Sequence, residues 1–109
     1  MSTLTTTIDS VIDEIIAIRH DLHAHPELGY EENRTSKVIQ DFLGELNIPF
    51  KAGLAKGTGV LAHLEGEGKT AIGLRADIDA LPISEENTFD WKSVHEGCMH
   101  ACGHDGHTA

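Results

Sequence analysis

The sequence has few basic residues, few cysteines and no long apolar run, and each shortage argues against a class of partner, site or location. Its 109 residues include 8 lysines and arginines against 18 aspartates and glutamates, for a formal net charge of −10. This acidity argues against a nucleic-acid partner or an anionic membrane surface. No stretch is apolar for long enough to span a bilayer, and the first residues lack the basic flank and apolar run of a signal peptide. We therefore expect one small domain over residues 1–109, located in the cytoplasm.

The two cysteines, Cys98 and Cys102, lie close to several histidines. In an oxidising compartment they could form a disulfide, whereas in the cytoplasm a thiol beside histidines more often indicates metal binding or catalysis. The side chains near the end of the chain that can bind a metal are His95, Cys98, His100, Cys102, His104, Asp105 and His107.

Cys102 and His104 are the strongest ligand candidates, because thiolate and imidazole suit zinc and its first-row neighbours. Their spacing places both side chains on one face of an extended chain, and Gly103 between them lets the backbone bend around an ion. The alternative is a histidine-rich surface loop. Supporting or solvent-facing roles are expected for His95, His100 and His107.

Two amphipathic helices are predicted in the first half of the chain. Apolar residues at three- and four-residue spacing predict a helix from residue 8 to about residue 24, with Thr7 as its cap. The same periodicity predicts a second helix from about residue 31 to residue 46, and Asn47 suits a left-handed conformation at its end.

His23 and His25 flank an alanine at the end of the first predicted helix. They could bind a metal ion or interact with the negative end of the helix dipole, and we favour the dipole interaction. Neither histidine is therefore included in the predicted metal site.

Three strands are predicted to follow the helices. Residues 48–51 form a short strand, and residues 60–64 and 70–77 form a hairpin around a glycine-containing turn at residues 65–69. The last of these strands is largely apolar, as is typical of a strand that is covered on both faces.

The strand at residues 70–77 leads into Asp77 and Asp79. Open α/β sheets place their chemistry beyond the carboxyl ends of strands, so these are candidate active-site carboxylates. An irregular polar loop is predicted at residues 84–97, and a further helix begins near Asp105. The pattern predicts an α/β fold.

Four stretches together resemble one family. They are residues 19–29 (RHDLHAHPELG), 58–60 (TGV), 74–83 (LRADIDALPI) and 100–109 (HACGHDGHTA). Their order and spacing are similar to the start of the metal-dependent amidohydrolases that include hippurate hydrolase, N-acyl-amino-acid amidohydrolases and plant auxin-conjugate hydrolases. These enzymes belong with the di-metal carboxypeptidases of clan MH.

The resemblance implies the N-terminal part of a zinc-exopeptidase-like catalytic domain, with two helices and then a β-hairpin that feeds a mixed sheet. The domain would be incomplete, without the lid or dimerisation domain. The resemblance also implies two divalent transition-metal ions, zinc or manganese with cobalt or nickel as further options, bound in part by Cys102 and His104. Asp79 matches the family's supporting aspartate, and it either orients a ligand or only structures its loop. The family's general-base glutamate and further ligands have no counterpart in these residues.

The implied reaction is metal-dependent hydrolysis of the amide bond of an N-acyl amino acid, releasing a carboxylic acid and an amino acid. The parent enzyme is expected to be a homo-oligomer, and the 109-residue chain is expected to be inactive alone. Two alternatives remain at this point. One is a stand-alone, non-catalytic metal-binding module, and the other is a hydrolase that uses Cys102 as its nucleophile.

Overall fold

The computed structural model describes residues 3–109, which contain three α-helices, a short 3₁₀ turn and one two-stranded antiparallel sheet. Helix α1 spans Thr3–Ala24 and helix α2 spans Asn33–Glu45. Strands β1 and β2 span Phe50–Leu54 and Gly59–Ala62, and helix α3 spans His104–Thr108. None of the helices in this described part has the length and apolar character needed to cross a membrane.

Helix α1 is longer than predicted and packs through only its last turns. It begins before Thr7, whose hydroxyl donates to the Thr3 carbonyl (2.9 Å) inside the helix, so the predicted Thr7 cap is wrong. The apolar stripe at the front of the helix is exposed, and the residues that are buried are Leu22 and His23. The helix is therefore anchored near its carboxyl end, which belongs to the first family-like stretch at residues 19–29.

Helix α2 lies within its predicted range, and Glu27 holds its first turn. The Glu27 carboxylate accepts hydrogen bonds from the backbone N–H groups of Arg34 (2.9 Å) and Thr35 (2.6 Å). These N–H groups have no partner inside the helix, so the glutamate does the work of a cap from outside. Asn47 has φ of 55°, the left-handed conformation that the sequence predicted.

The hairpin lies earlier in the chain than the predicted hairpin, which joined residues 60–64 to residues 70–77. Strand β2 pairs with the preceding strand β1, joining Phe50 to Ala62 and Lys51 to Leu61. A 3₁₀ turn at Ala55–Gly57 connects them. The Thr58 hydroxyl donates to Glu32 (3.1 Å), and both side chains are buried, which ties the hairpin to the start of α2.

The predicted strand at residues 70–77 is wrong for this chain, since the segment belongs to no sheet. Its apolar side chains are open to solvent, and Ile72 and Leu74 are 91% and 96% exposed. A strand exists only through hydrogen bonds to a neighbouring strand, and no such neighbour lies beside this segment in the described residues. The segment borders an open cleft of about 1550 Å³.

Three segments that are distant in sequence meet beside this cleft. Leu28 forms a parallel bridge with Ala80, and the Ala80 N–H donates to the Glu27 carbonyl (2.8 Å). Leu81 and Met99 exchange backbone hydrogen bonds of 2.9 and 3.0 Å. These bridges bring the residues after position 77 next to the segment that leads into α3.

The loop at residues 84–97 is irregular, as predicted, and it packs on α1 through Trp91. The indole stacks against His20 at a centroid distance of 4.1 Å and against Phe89 at 3.8 Å. The Arg19 guanidinium lies 4.8 Å from the centroid of the same ring. The Val94 N–H also donates to the Ala24 carbonyl (2.9 Å), so the loop is fastened to the end of α1.

Candidate metal centre

Cys102 and His104 lie on either side of the turn that begins α3. Gly103 has φ of 80°, a left-handed conformation that glycine adopts without strain, and α3 starts at the next residue. The Cys102 thiol is free and exposed, and the His104 side chain is 21% exposed. Both candidate ligands are therefore accessible at the same end of a short helix.

The two ring nitrogens of His104 have different surroundings. Nδ1 lies 2.9 Å from the Asp79 carbonyl oxygen and 3.0 Å from Asp79 Oδ1. Since both neighbours are acceptors, Nδ1 carries the hydrogen, and in the neutral ring Nε2 has the lone pair. Nε2 lies 3.9 Å from Asp77 Oδ2, beyond hydrogen-bond distance. A histidine that binds metal characteristically donates its other N–H to a carboxylate or carbonyl in this way.

Asp77 and Asp79 both lie beside α3, as expected for residues that follow the apolar segment. The Asp77 carbonyl accepts a hydrogen bond from the Thr108 hydroxyl at the far end of α3 (3.2 Å). A β-carbon placed on Gly29 would lie 3.9 Å from Asp79 Oδ2, so the turn after Leu28 passes close to this carboxylate. Asp79 thus lies between the first and the last of the four family-like stretches, residues 19–29 and 100–109.

His23 has a role that the sequence did not predict. Its Nδ1 lies 2.7 Å from Asp105 Oδ2 and its Nε2 lies 2.8 Å from Glu85 Oε2. The side chains of His23, Glu85 and Asp105 are 4%, 2% and 1% exposed. The predicted dipole interaction is wrong for His23, because its ring is occupied on both sides by carboxylates. The one sequence signal for this role was the first stretch of the family resemblance, in which His23 falls.

His25, by contrast, stays at the helix end. Its Nδ1 lies 2.8 Å from the Asp21 carbonyl oxygen, one turn earlier, and 3.5 Å from Asp21 Oδ1. This local contact agrees with the interaction predicted for a histidine at the carboxyl end of a helix.

The carboxylates of Asp105 and Glu85, which lie on either side of His23, are held in their ionised form. Burial raises the pKa of Asp105, but hydrogen bonds from His23 and the Gly106 N–H, with the charges of His100 and Arg19, outweigh it and lower the pKa below its ordinary value. Burial likewise raises the pKa of Glu85, and hydrogen bonds chiefly from Asn87, His23 and Ser93 bring the net pKa below the ordinary value. Arg19 Nε lies 3.3 Å from Asp105 Oδ2.

The remaining histidines of the last stretch differ in exposure. His95 and His107 are exposed, in keeping with solvent-facing roles. His100 is 4% exposed, and neither of its ring nitrogens has a hydrogen-bond partner. Burial lowers the pKa of His100 below its ordinary value.

The donor set fits part of a metal site. Cys102 offers a thiol, and His104 offers an imidazole whose Nδ1 hydrogen bond leaves Nε2 available, which is the ligand chemistry of a first-row transition metal. Within residues 3–109, no three or more histidine, cysteine, aspartate or glutamate side chains are arranged so as to hold a metal ion. A transition-metal site needs more donors than this pair supplies.

Comparison with known proteins places these residues in context. Residues 73–109 match the family model described as Peptidase family M20/M25/M40. The chain is 46% identical over 108 residues to an N-acyl-L-amino acid amidohydrolase of Geobacillus stearothermophilus, covering 94% of the chain and 28% of that protein. It is 52% identical over 90 residues to an uncharacterized hydrolase of Staphylococcus epidermidis, covering 83% of the chain and 23% of that protein.

The fold has solved relatives as well. The crystal structure of the Bacillus subtilis YXEP protein, described as a dinuclear metal binding peptidase from the M20 family, is similar with a TM-score of 0.84 and 42% identity. The match covers 92% of the chain and 28% of that structure. The chain therefore spans about a quarter of the length of the relatives that it matches.

Proposed function

Residues 73–109 belong to the Peptidase family M20/M25/M40, and from that premise we propose that the chain forms the amino-terminal part of a metal-dependent amidohydrolase that acts on N-acyl amino acids. Membership in this family confirms the resemblance, and the fold of the described residues is a partial α/β domain of the kind that the M20 relative contains. The similarity to an N-acyl-L-amino acid amidohydrolase supports the substrate class.

The hydrogen bonding of His104 by Asp79 is the main structural support for the proposal. The Asp79 carboxylate and carbonyl both accept from His104 Nδ1, so the Nε2 lone pair faces away from this hydrogen bond, two residues from the exposed Cys102 thiol. An isolated surface histidine has no need of such a support. Cys102 and His104 would hold part of a pair of divalent ions, zinc or manganese, with cobalt or nickel as further options. The solved relative described as dinuclear supports a pair.

Each residue has a defined task in the proposed enzyme. Asp79 keeps the hydrogen on His104 Nδ1 and fixes the ring direction, and Cys102 contributes a negatively charged donor. When bound, the metal pair would activate water and polarise the amide carbonyl of the substrate. The general base and the other ligands would come from parts of the full-length enzyme beyond these 109 residues. The substrate would be a hippurate-like conjugate in the cytoplasm, and the enzyme would be a homo-oligomer.

The test is amide hydrolysis by the full-length protein. We expect release of the amino acid from N-acyl conjugates such as hippurate, loss of release after chelation, and its return when zinc or manganese is added back. Turnover that survives removal of the metal would contradict the proposal and indicate Cys102 as a nucleophile. Metal binding without turnover of any N-acyl amino acid would indicate a non-catalytic metal-binding module.

A further inference from the structure

Helix α3, which begins at His104, is too short to hold its own position. It contains five residues, and an isolated helix needs about 12–15 to be even marginally stable in water. Its position therefore depends on contacts with other parts of the chain. Asp105, the second residue of α3, is 1% exposed and makes the buried contact, to His23.

We propose that His23 is a positioning residue for the metal centre, which joins α1 to α3 through Asp105 and so fixes the direction of His104. The inference rests on the proposed function, because it concerns the site that His104 would form. His23 itself touches neither Cys102 nor His104 in any hydrogen bond of the described residues, so it acts through its neighbour.

The geometry requires an imidazole at this position. Two carboxylates lie on opposite sides of the ring, at 2.7 Å from Nδ1 and 2.8 Å from Nε2. An imidazole presents one ring nitrogen to each of the two carboxylates at the same time. A flexible side chain with one donor group satisfies one carboxylate and deprives the other of a buried hydrogen-bond partner, which is costly.

Aromatic rings and further hydrogen bonds surround the contact between His23 and the two carboxylates. Trp91 lies edge-on to the His23 ring at a centroid distance of 5.0 Å, and Phe89 lies at 5.8 Å. Glu85 is in turn held by the Ser93 N–H (2.6 Å) and the Asn87 side chain (2.9 Å). Asp105 is thus fixed relative to both α1 and the loop at residues 84–97, and His104 is the adjoining residue.

Metal affinity of the full-length protein tests this inference, with His25 as a matched control. The variants are His23→Leu and the milder His23→Gln, against His25→Leu just beyond the end of α1, whose ring lies beside Asp21 of α1 and 6.5 Å from the ring of His95. The measurements are the zinc dissociation constant, by competition with a chromophoric chelator, and the absorption spectrum of the cobalt-loaded protein. We expect His23→Leu to weaken zinc binding by roughly 10–100-fold, as loss of a supporting partner does. His23→Gln should weaken it less and His25→Leu should leave it unchanged.

The cobalt spectrum separates positioning from simple loss of stability. We expect altered ligand-field bands in both folded His23 variants, because the His104 ring is no longer held in one direction. If both variants bind zinc as tightly as the wild type and give its cobalt spectrum, with only a lower melting temperature, His23 is structural and the inference is overturned. If the wild type itself binds no metal, the proposed function fails and the inference fails with it. The two failures are therefore distinguishable.

Discussion

At the scale of single residues, the two ring nitrogens of His104 have different roles. Nδ1 is committed to Asp79, which fixes the tautomer, and Nε2 is left with a lone pair. Cys98 is less suited to binding a metal than His104. Burial, with Glu27 and Glu31 nearby, raises the pKa of its thiol. A thiol binds metal only after losing its proton, so Cys98 is a poor ligand although it is close in sequence to Cys102.

This contrast leads to a ligand prediction. In the full-length protein, Cys102→Ala and His104→Ala should each weaken transition-metal binding at least as much as loss of a supporting partner does, which is roughly 10–100-fold. Metal content after dialysis measures the effect. Cys98→Ala is the matched control and should keep the wild-type metal content. Full metal content in both the Cys102 and His104 variants would reject the assignment.

Glu85 leads to a prediction about pH. Its pKa in the folded state lies below the ordinary 4.5, so the folded protein binds this proton more weakly than the unfolded chain does. The stabilisation from ionised Glu85 is therefore fully present above pH 4.5 and is lost as the pH falls through the lower folded-state pKa. The melting temperature of the wild type should exceed that of Glu85→Gln by a margin that shrinks below pH 4.5. A margin that is the same at about pH 3.5 as at neutral pH would contradict this linkage.

At the scale of secondary-structure elements, side chains from one segment hold the ends of another. Glu27 lies outside α2 and accepts from the first backbone N–H groups of that helix. The Thr35 hydroxyl donates to the same carboxylate (2.7 Å), and Thr35 is buried. The start of α2 is thereby tied to the segment that bridges to Ala80.

We expect Glu27→Ala to lower the free energy of unfolding by about 1–2 kcal/mol, the cost of losing a helix cap, with the larger value favoured by the buried Thr35. Chemical denaturation of the full-length protein measures this change. Glu31→Ala is the control because it removes the same charge from an exposed position nearby. Equal losses in the two variants would show that charge, not capping, is responsible.

The helices could be predicted from the sequence because their signals are local. The periodicity located both long helices, and Asn47 takes the left-handed conformation that its position after the helix suggested. The strand at residues 70–77 could not be located in this way, because its apolar character reports burial that other segments must supply. The same limit explains His23, since a contact across 82 residues to Asp105 leaves no local pattern.

At the scale of the whole molecule, the described residues do not form a self-sufficient core. The apolar side chains that are buried in residues 3–109 are Leu22, Pro26 and Ala80. The radius of gyration is 15.4 Å, whereas a compact domain of this length has about 13 Å. The polar clusters around His23 and Glu27 are hydrogen-bonded, but apolar burial is the main driving force of folding. Ile72 and Leu74, exposed beside the open cleft, are where apolar cover is missing.

These features predict that the 109-residue chain alone is not an active enzyme. Cys102 and His104 are too few donors for two ions, and a pair of ligands binds metal weakly. A general base, which typically contributes about 10²–10⁴-fold in rate, would also have to come from outside the chain. The measurement is hydrolysis of N-acyl amino acids by the isolated chain and by the full-length protein, each supplied with zinc, manganese or cobalt. We expect turnover only from the full-length protein. Turnover by the isolated chain at the rate of the full-length protein would show that residues 1–109 contain the whole catalytic apparatus.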